Sequence, residues 1–166
     1  MMGMTLLEVM IVVVLLAVVA AVVVPAIGKN EQTLLASAAR QLMADLDFAR
    51  VESIAHADEP RGLKFDPATE TYSVVKDAAT PFDCASASAI TNPADGQPYT
   101  TQFGAGRAST LAGVGVDSVS LDGDMCIAFG SFGETDQASD ATITLVAHGK
   151  TLTLTIDPVS GETTTD

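Results

Sequence analysis

Glu8 stands at the head of a stretch, Val9 to Gly28, that contains no charged residue. About 20 residues span roughly 30 Å as a helix, enough to cross a bilayer. A charge at the bilayer centre costs roughly 2.5–3.5 kcal/mol, so a carboxylate in such a run asks for a purpose. Glu8 lies near one end of the run, where that cost is smaller. The chemistry open to it is electrostatic. Helical side chains lean toward the N-terminus, so Glu8 points back at the unpaired amide N–H groups of the first turn and the positive end of the macrodipole. It can cap its own helix or pair with a cation on a neighbouring one, and the residues alone leave both open.

Other reactive side chains form weaker patterns. Asp117, Asp122, Asp124, Glu134, Asp136 and Asp140 invite a calcium reading, since that ion takes six to eight oxygen ligands. Asp122-Gly123-Asp124 and Glu134-Thr135-Asp136 lack the full loop pattern of an EF-hand, and no metal site is assigned. The two histidines, His56 and His148, fall at a predicted helix end and a predicted turn, where solvation is the plain reading. No Gly-x-Ser-x-Gly elbow and no Gly-rich phosphate loop ending in Lys-Ser/Thr occurs. Two cysteines and two histidines cannot supply a structural zinc centre at the usual spacing. Nothing here supports an enzyme, and no cofactor is implied.

The elements that position these residues are legible from periodicity. Pro25 removes one backbone bond and kinks a helix without having to end it. Beyond Gly28, the residues Leu35, Ala38, Ala39, Leu42, Leu46 and Ala49 recur at three- and four-residue steps, an amphipathic helix with one face to pack. Asp45, Arg50 and Glu52 are read as lying largely off that stripe. Asp58-Glu59-Pro60 closes the helix near residue 56. The expectation is one long helix, its first half in lipid and its second half on a domain.

Arg61–Phe65 and Thr71–Lys76 flank a turn-rich link and predict a hairpin. Ala78 to Ala112 reads as a poorly regular stretch with one short strand near Tyr99–Phe103. Val114–Leu121 alternates with a phase slip suited to a bulge. Met125–Phe129 is a short apolar strand, and Gly130–Asp140 an acidic loop. Ile143, Leu145 and Ala147 answer Leu152, Leu154 and Ile156 across His148-Gly149-Lys150, with threonines on the other face, the pattern of a half-buried antiparallel pair. The fold class is α+β: a helix on an antiparallel sheet.

The chain has 166 residues and a net charge of −13, and the part from Lys29 onward carries −12. That balance opposes nucleic-acid binding and attachment to anionic lipid heads, both of which need clustered Lys and Arg. Aromatic content is 5% and tryptophan is absent, so the core must be aliphatic.

Taken in order, Gly3, Met4-Thr5-Leu6-Leu7-Glu8, the apolar helix and Pro25 resemble the N-terminus of type IV pilin-like proteins, the bacterial family of pilins and type II secretion pseudopilins. The resemblance implies that a prepilin peptidase cuts between Gly3 and Met4 and methylates Met4. Glu8 is then the fifth mature residue and the assembly residue, pairing with the amine of a neighbouring subunit to set the stagger of a filament. Pro25 falls at the family's helix kink. Met4 stands where the family usually has Phe, and the leader Met1-Met2-Gly3 lacks the usual basic residues. The implied divisions are a leader at 1–3, a transmembrane and assembly helix at 4–28, and a periplasmic pilin-like domain at 29–166.

The layout after residue 125 is similar to minor pseudopilins and minor pilins of the GspH/FimT type. The implied function is a structural subunit of a type II secretion pseudopilus. It would be anchored by a single pass in the bacterial inner membrane and drawn into a periplasmic filament. Its implied partners are sister pseudopilins, the peptidase and the inner-membrane assembly platform. The alternative is a minor type IV pilin serving pilus priming, adhesion or DNA uptake. Export would also place Cys84 and Cys126 where a disulfide is permitted. The expectation is a bond; two separate buried thiols are the alternative.

Overall fold

A computed structural model describes residues 6–27, 31–79 and 81–166, with the backbone alone described over 22–27. The chain divides into two units, residues 1–30 and 31–166. In the first, α1 spans Leu6–Ile27 and runs through Pro25. Helix α2, Glu31–Ala55, opens the second unit. The expected continuity of the two helices falls on residues 28–30, outside the described residues. Among the described residues no helix is long and apolar enough to cross a membrane.

The second unit is α+β with antiparallel pairing throughout. Its strands form two sheets where a single one was expected. In the first, β1 (Arg61–Asp66) lies between β2 (Thr71–Lys76) and β6 (Cys126–Phe129). The far edge of β2 carries two short strands end to end, β3 (Ser88–Ala89) and β4 (Thr100–Gln102). In the second, β5 (Val114–Ser120), β7 (Ala141–Ala147), β8 (Lys150–Ile156) and β9 (Thr163–Thr165) pair in that order. The phase slip in β5 is an irregularity between Val116 and Ser118. His148 and Gly149 form the tight β7–β8 turn with φ of 50° and 81°, the left-handed geometry a two-residue hairpin needs, and Lys150 already belongs to β8.

The core forms where α2 meets both sheets. Leu35, Ala38, Ala39, Leu42, Leu46 and Ala49 are all buried, as the periodicity required, and the stripe runs one turn further to Ser53. Small alanines let the helix approach closely while leucines fill the gaps. Leu63, Val74 and Ile127 meet it from the first sheet, and Ile143, Leu145, Leu154 and Ile156 from the second. The first sheet's other face carries Val75 and Cys126. The segment around Phe82–Ala87 covers it, held by the Cys84–Cys126 disulfide.

The stretch 78–112 is more ordered than its Ala/Ser/Thr/Pro/Gly composition suggested. It is pinned along β2 by backbone bonds from Ile90 N to Val74 O and from Val74 N to Tyr99 O, both 2.9 Å. A 3-10 helix at Gly106–Leu111 then leads into β5. Strands β3 and β9 and this 3-10 helix have no clear periodicity of their own, because neighbours impose their conformation.

Candidate functional site

The described residues place the N-terminal determinants only in part. Gly3 and Met4 lie outside them. Glu8 sits in the first turn of α1, exposed, and every side chain from Leu6 to Ala21 is exposed as well. Leu6 is 78% and Leu7 69% exposed, an uncommon state for leucine that continues along the helix. Pro25 is carried within α1.

Cys84 and Cys126 are brought together as expected, 42 residues apart in sequence with Cα atoms 6.0 Å apart. Lys64 of β1 donates from Nζ to the Cys84 carbonyl at 2.8 Å and so adds a second tie to the same segment.

The acidic loops serve the backbone. Asp122 accepts from the Ala138 amide and from Ser139 Oγ. Asp124 accepts from Cys126 N at 3.1 Å, and Glu134 from Phe132 N at 3.0 Å. Asp136 Oδ1 accepts from Ala128 N at 2.9 Å and Gln137 Nε2 at 2.8 Å. Burial pushes the Asp136 carboxyl above its ordinary value, against these two bonds. No group of three His, Cys, Asp or Glu among the described residues is arranged to hold a metal ion. His56 is exposed beside Glu52, with Nδ1 3.4 Å from Oε2, and His148 is exposed in its turn.

Two charged residues are buried among the described residues, Asp45 and Arg61, and the first of them corrects an expectation. Expected off the packed stripe, Asp45 is 1% exposed, as buried as the leucines beside it. Tyr72 of β2 donates to its Oδ2 at 2.8 Å, and Tyr99 to its Oδ1 at 3.0 Å. Gln41, one turn earlier on α2, donates at 3.2 Å, and Thr101 of β4 reaches it at 3.4 Å. Arg107 of the 3-10 helix completes the set through an ion pair. The Arg107 guanidinium also lies 4.3 Å from the Tyr99 ring centroid, and Phe48 stacks on that ring at 5.1 Å. Burial, then the Asp45 charge, drives the Tyr72 hydroxyl far above its ordinary value, and the same two causes raise Tyr99. Partial burial of Arg107 works against its charge, but Tyr99 and Asp45 outweigh it and raise its pKa.

A signal for this cluster was present. Asp45 stands seven residues after Ala38 and four before Ala49, on the shoulder of the stripe. A carboxylate there must find partners or shift its protonation. Both tyrosines of the chain turn out to be those partners. Both carboxylate oxygens are fully engaged, so Asp45 has no lone pair to offer as a base. Its role is to fasten α2, β2, β4 and the 3-10 helix together.

No protein-family model matches the chain, and no curated protein or solved structure matches it.

Proposed function

We propose that this protein is a minor pseudopilin, a structural subunit of a type II secretion pseudopilus. It is cut between Gly3 and Met4, methylated on Met4 and held in the inner membrane by the segment 4–28. It is then assembled through that helix into a periplasmic filament. The observation that carries the reading is the succession Gly3, Thr5-Leu6-Leu7-Glu8 and an apolar helix whose described side chains are all exposed. An exposed leucine-rich helix needs lipid or other helices around it, and Glu8 supplies the one charge able to fix a register among them. A domain with its own core and a disulfide, following such a helix, suits an oxidising compartment.

The test is co-expression with a prepilin peptidase followed by intact-mass measurement. The expected product has lost Met1-Met2-Gly3 and gained one methyl group. A chain still beginning at Met1 in the presence of active peptidase refutes the processing on which this reading rests. Glu8→Leu should keep membrane association while lowering crosslinking to sister subunits. Wild-type crosslinking would remove Glu8 from assembly.

A further inference from the structure

Two carboxylates line one cavity, and neither forms an ion pair among the described residues. The cavity measures about 260 Å³ and is open to solvent. Pro60, Pro81, Phe82 and Ala128 give it a mostly apolar lining, and Glu134 and Asp136 come from the loop after β6. Glu134 is fixed in place. Phe132 N donates to its Oε2 at 3.0 Å, and its Oε1 lies over Gly130, in the space a side chain would fill there. Asp136 turns Oδ1 to the Ala128 amide and to Gln137. Glu134 Oε1 and Asp136 Oδ2 accept no hydrogen bond among the described residues. Both residues keep surface open to solvent.

The size suits one side chain, since sites for whole small molecules run to about 300–1,000 Å³. The charge calls for a cation. Burial and the nearby Asp124 both oppose the charged form of Asp136, and a bound cation offsets both. One free oxygen on each of two carboxylates suits a compact ammonium with rotatable donors. A guanidinium fork instead grips both oxygens of a single carboxylate. Exposed apolar side chains stand on the same loops. Phe132 is 87% and Val159 80% exposed. Thr135 on the cavity wall ties their turns together, its Oγ1 donating to the Pro158 carbonyl at 2.8 Å. A free amine leaves that rim bare, whereas a polypeptide covers it. A second copy is disfavoured, because the part from Lys29 onward carries −12 and two such domains repel.

We propose that this cavity takes a lysine side chain from a basic, apolar segment of a partner polypeptide. The ammonium donates to Glu134 Oε1 and Asp136 Oδ2, the hydrocarbon stem rests on Pro81, Phe82 and Ala128, and the lysine's apolar neighbours meet Phe132 and Val159. The inference does not depend on the filament reading.

The chain has six phenylalanines, each preceded by a different residue type, so ¹⁵N-phenylalanine amides of the full protein in uncharged maltoside micelles are assigned by carbonyl labelling of the preceding type. Phe82, Phe129 and Phe132 flank the cavity, and Phe48, Phe65 and Phe103, in the core between helix and sheets, are the internal controls. The probe is the capped peptide acetyl-Ala-Leu-Lys-Leu-Ala-amide. The same peptide with norleucine for lysine keeps the stem without the charge. The expected result is a saturable shift of Phe129 and Phe132 with the lysine peptide, leaving the three controls unmoved, and binding at least several-fold weaker with norleucine, with arginine for lysine or with n-butylamine. Glu134→Gln keeps an oxygen for the Phe132 amide and should weaken the lysine peptide several-fold, as should Asp136→Asn. No saturable shift, an equal shift with the norleucine peptide, or unchanged binding in Glu134→Gln overturns the proposal. Equal binding of n-butylamine overturns it in favour of a free amine. Peptide-free signals at Phe129 and Phe132 that move with protein concentration overturn it in favour of a second copy.

Discussion

Asp45→Asn tests whether one carboxylate fastens the helix to the first sheet. The side chain keeps its shape and loses its charge. Its single oxygen can face Tyr72 and Thr101 or face Gln41, Tyr99 and Arg107, but not both sets, and the amide group then confronts donors on the other side. One buried tyrosine hydroxyl is stranded, at about 1–3 kcal/mol, and Arg107 loses its counter-charge. The expected loss is about 2–4 kcal/mol, a large share of the 5–15 kcal/mol typical of a domain. At about 2–4 °C per kcal/mol for a chain near this size, the midpoint should fall by roughly 5–15 °C. Urea unfolding followed by near-ultraviolet circular dichroism suits the question. With no tryptophan and only two tyrosines, both in the cluster, that signal is dominated by the site itself. Tyr72→Phe should cost less in the Asp45→Asn background than in the wild type, since its acceptor is already impaired. A loss under about 1 kcal/mol for Asp45→Asn, or equal costs for Tyr72→Phe in the two backgrounds, would show that the cluster is not coupled as described.

Three further outcomes are expected. Replacing both Cys84 and Cys126 by serine should destabilise by about 4 kcal/mol, the chain-entropy value for a loop of this length, and expose the segment around Phe82 to proteolysis; two free thiols in unreduced wild-type protein would contradict the bond. Asp136→Asn keeps an oxygen for Ala128 N and Gln137 Nε2. Because burial raises the Asp136 pKa, its favourable contribution is present at acid pH and lost as pH rises through that value. The variant should therefore match or exceed wild-type stability at pH 7 and lose that advantage toward pH 4, as read by denaturant titration at both pH values. Gly62→Ala would place a methyl group 2.5 Å from the Ile127 carbonyl oxygen in the middle of the first sheet. It should cost about 1–3 kcal/mol, with a near-unchanged midpoint as the refuting result.

Local physics determined much of this protein from the sequence alone. A 3.6-residue period in Leu35–Ala49 and a two-residue period in β7 and β8 each name one face, and a buried face has one place to go. The His148-Gly149 turn follows from residues that tolerate positive φ. The Gly3–Glu8 succession and the charge-free run behind it are readable without any fold. Tertiary structure decided what depends on distant partners. Two sheets formed rather than one, because β5, β7, β8 and β9 pair among themselves while β6 returns to β1 across more than fifty intervening residues. The stretch 78–112 became ordered because β2 offered an unpaired edge and a disulfide held its near end. Asp45 went inward because Tyr72, Tyr99 and Arg107, 27 to 62 residues away, arrive with the donors that make its burial affordable. Periodicity reports which face a residue is on; whether a charge can stay there depends on side chains that only the folded chain brings within 3 Å.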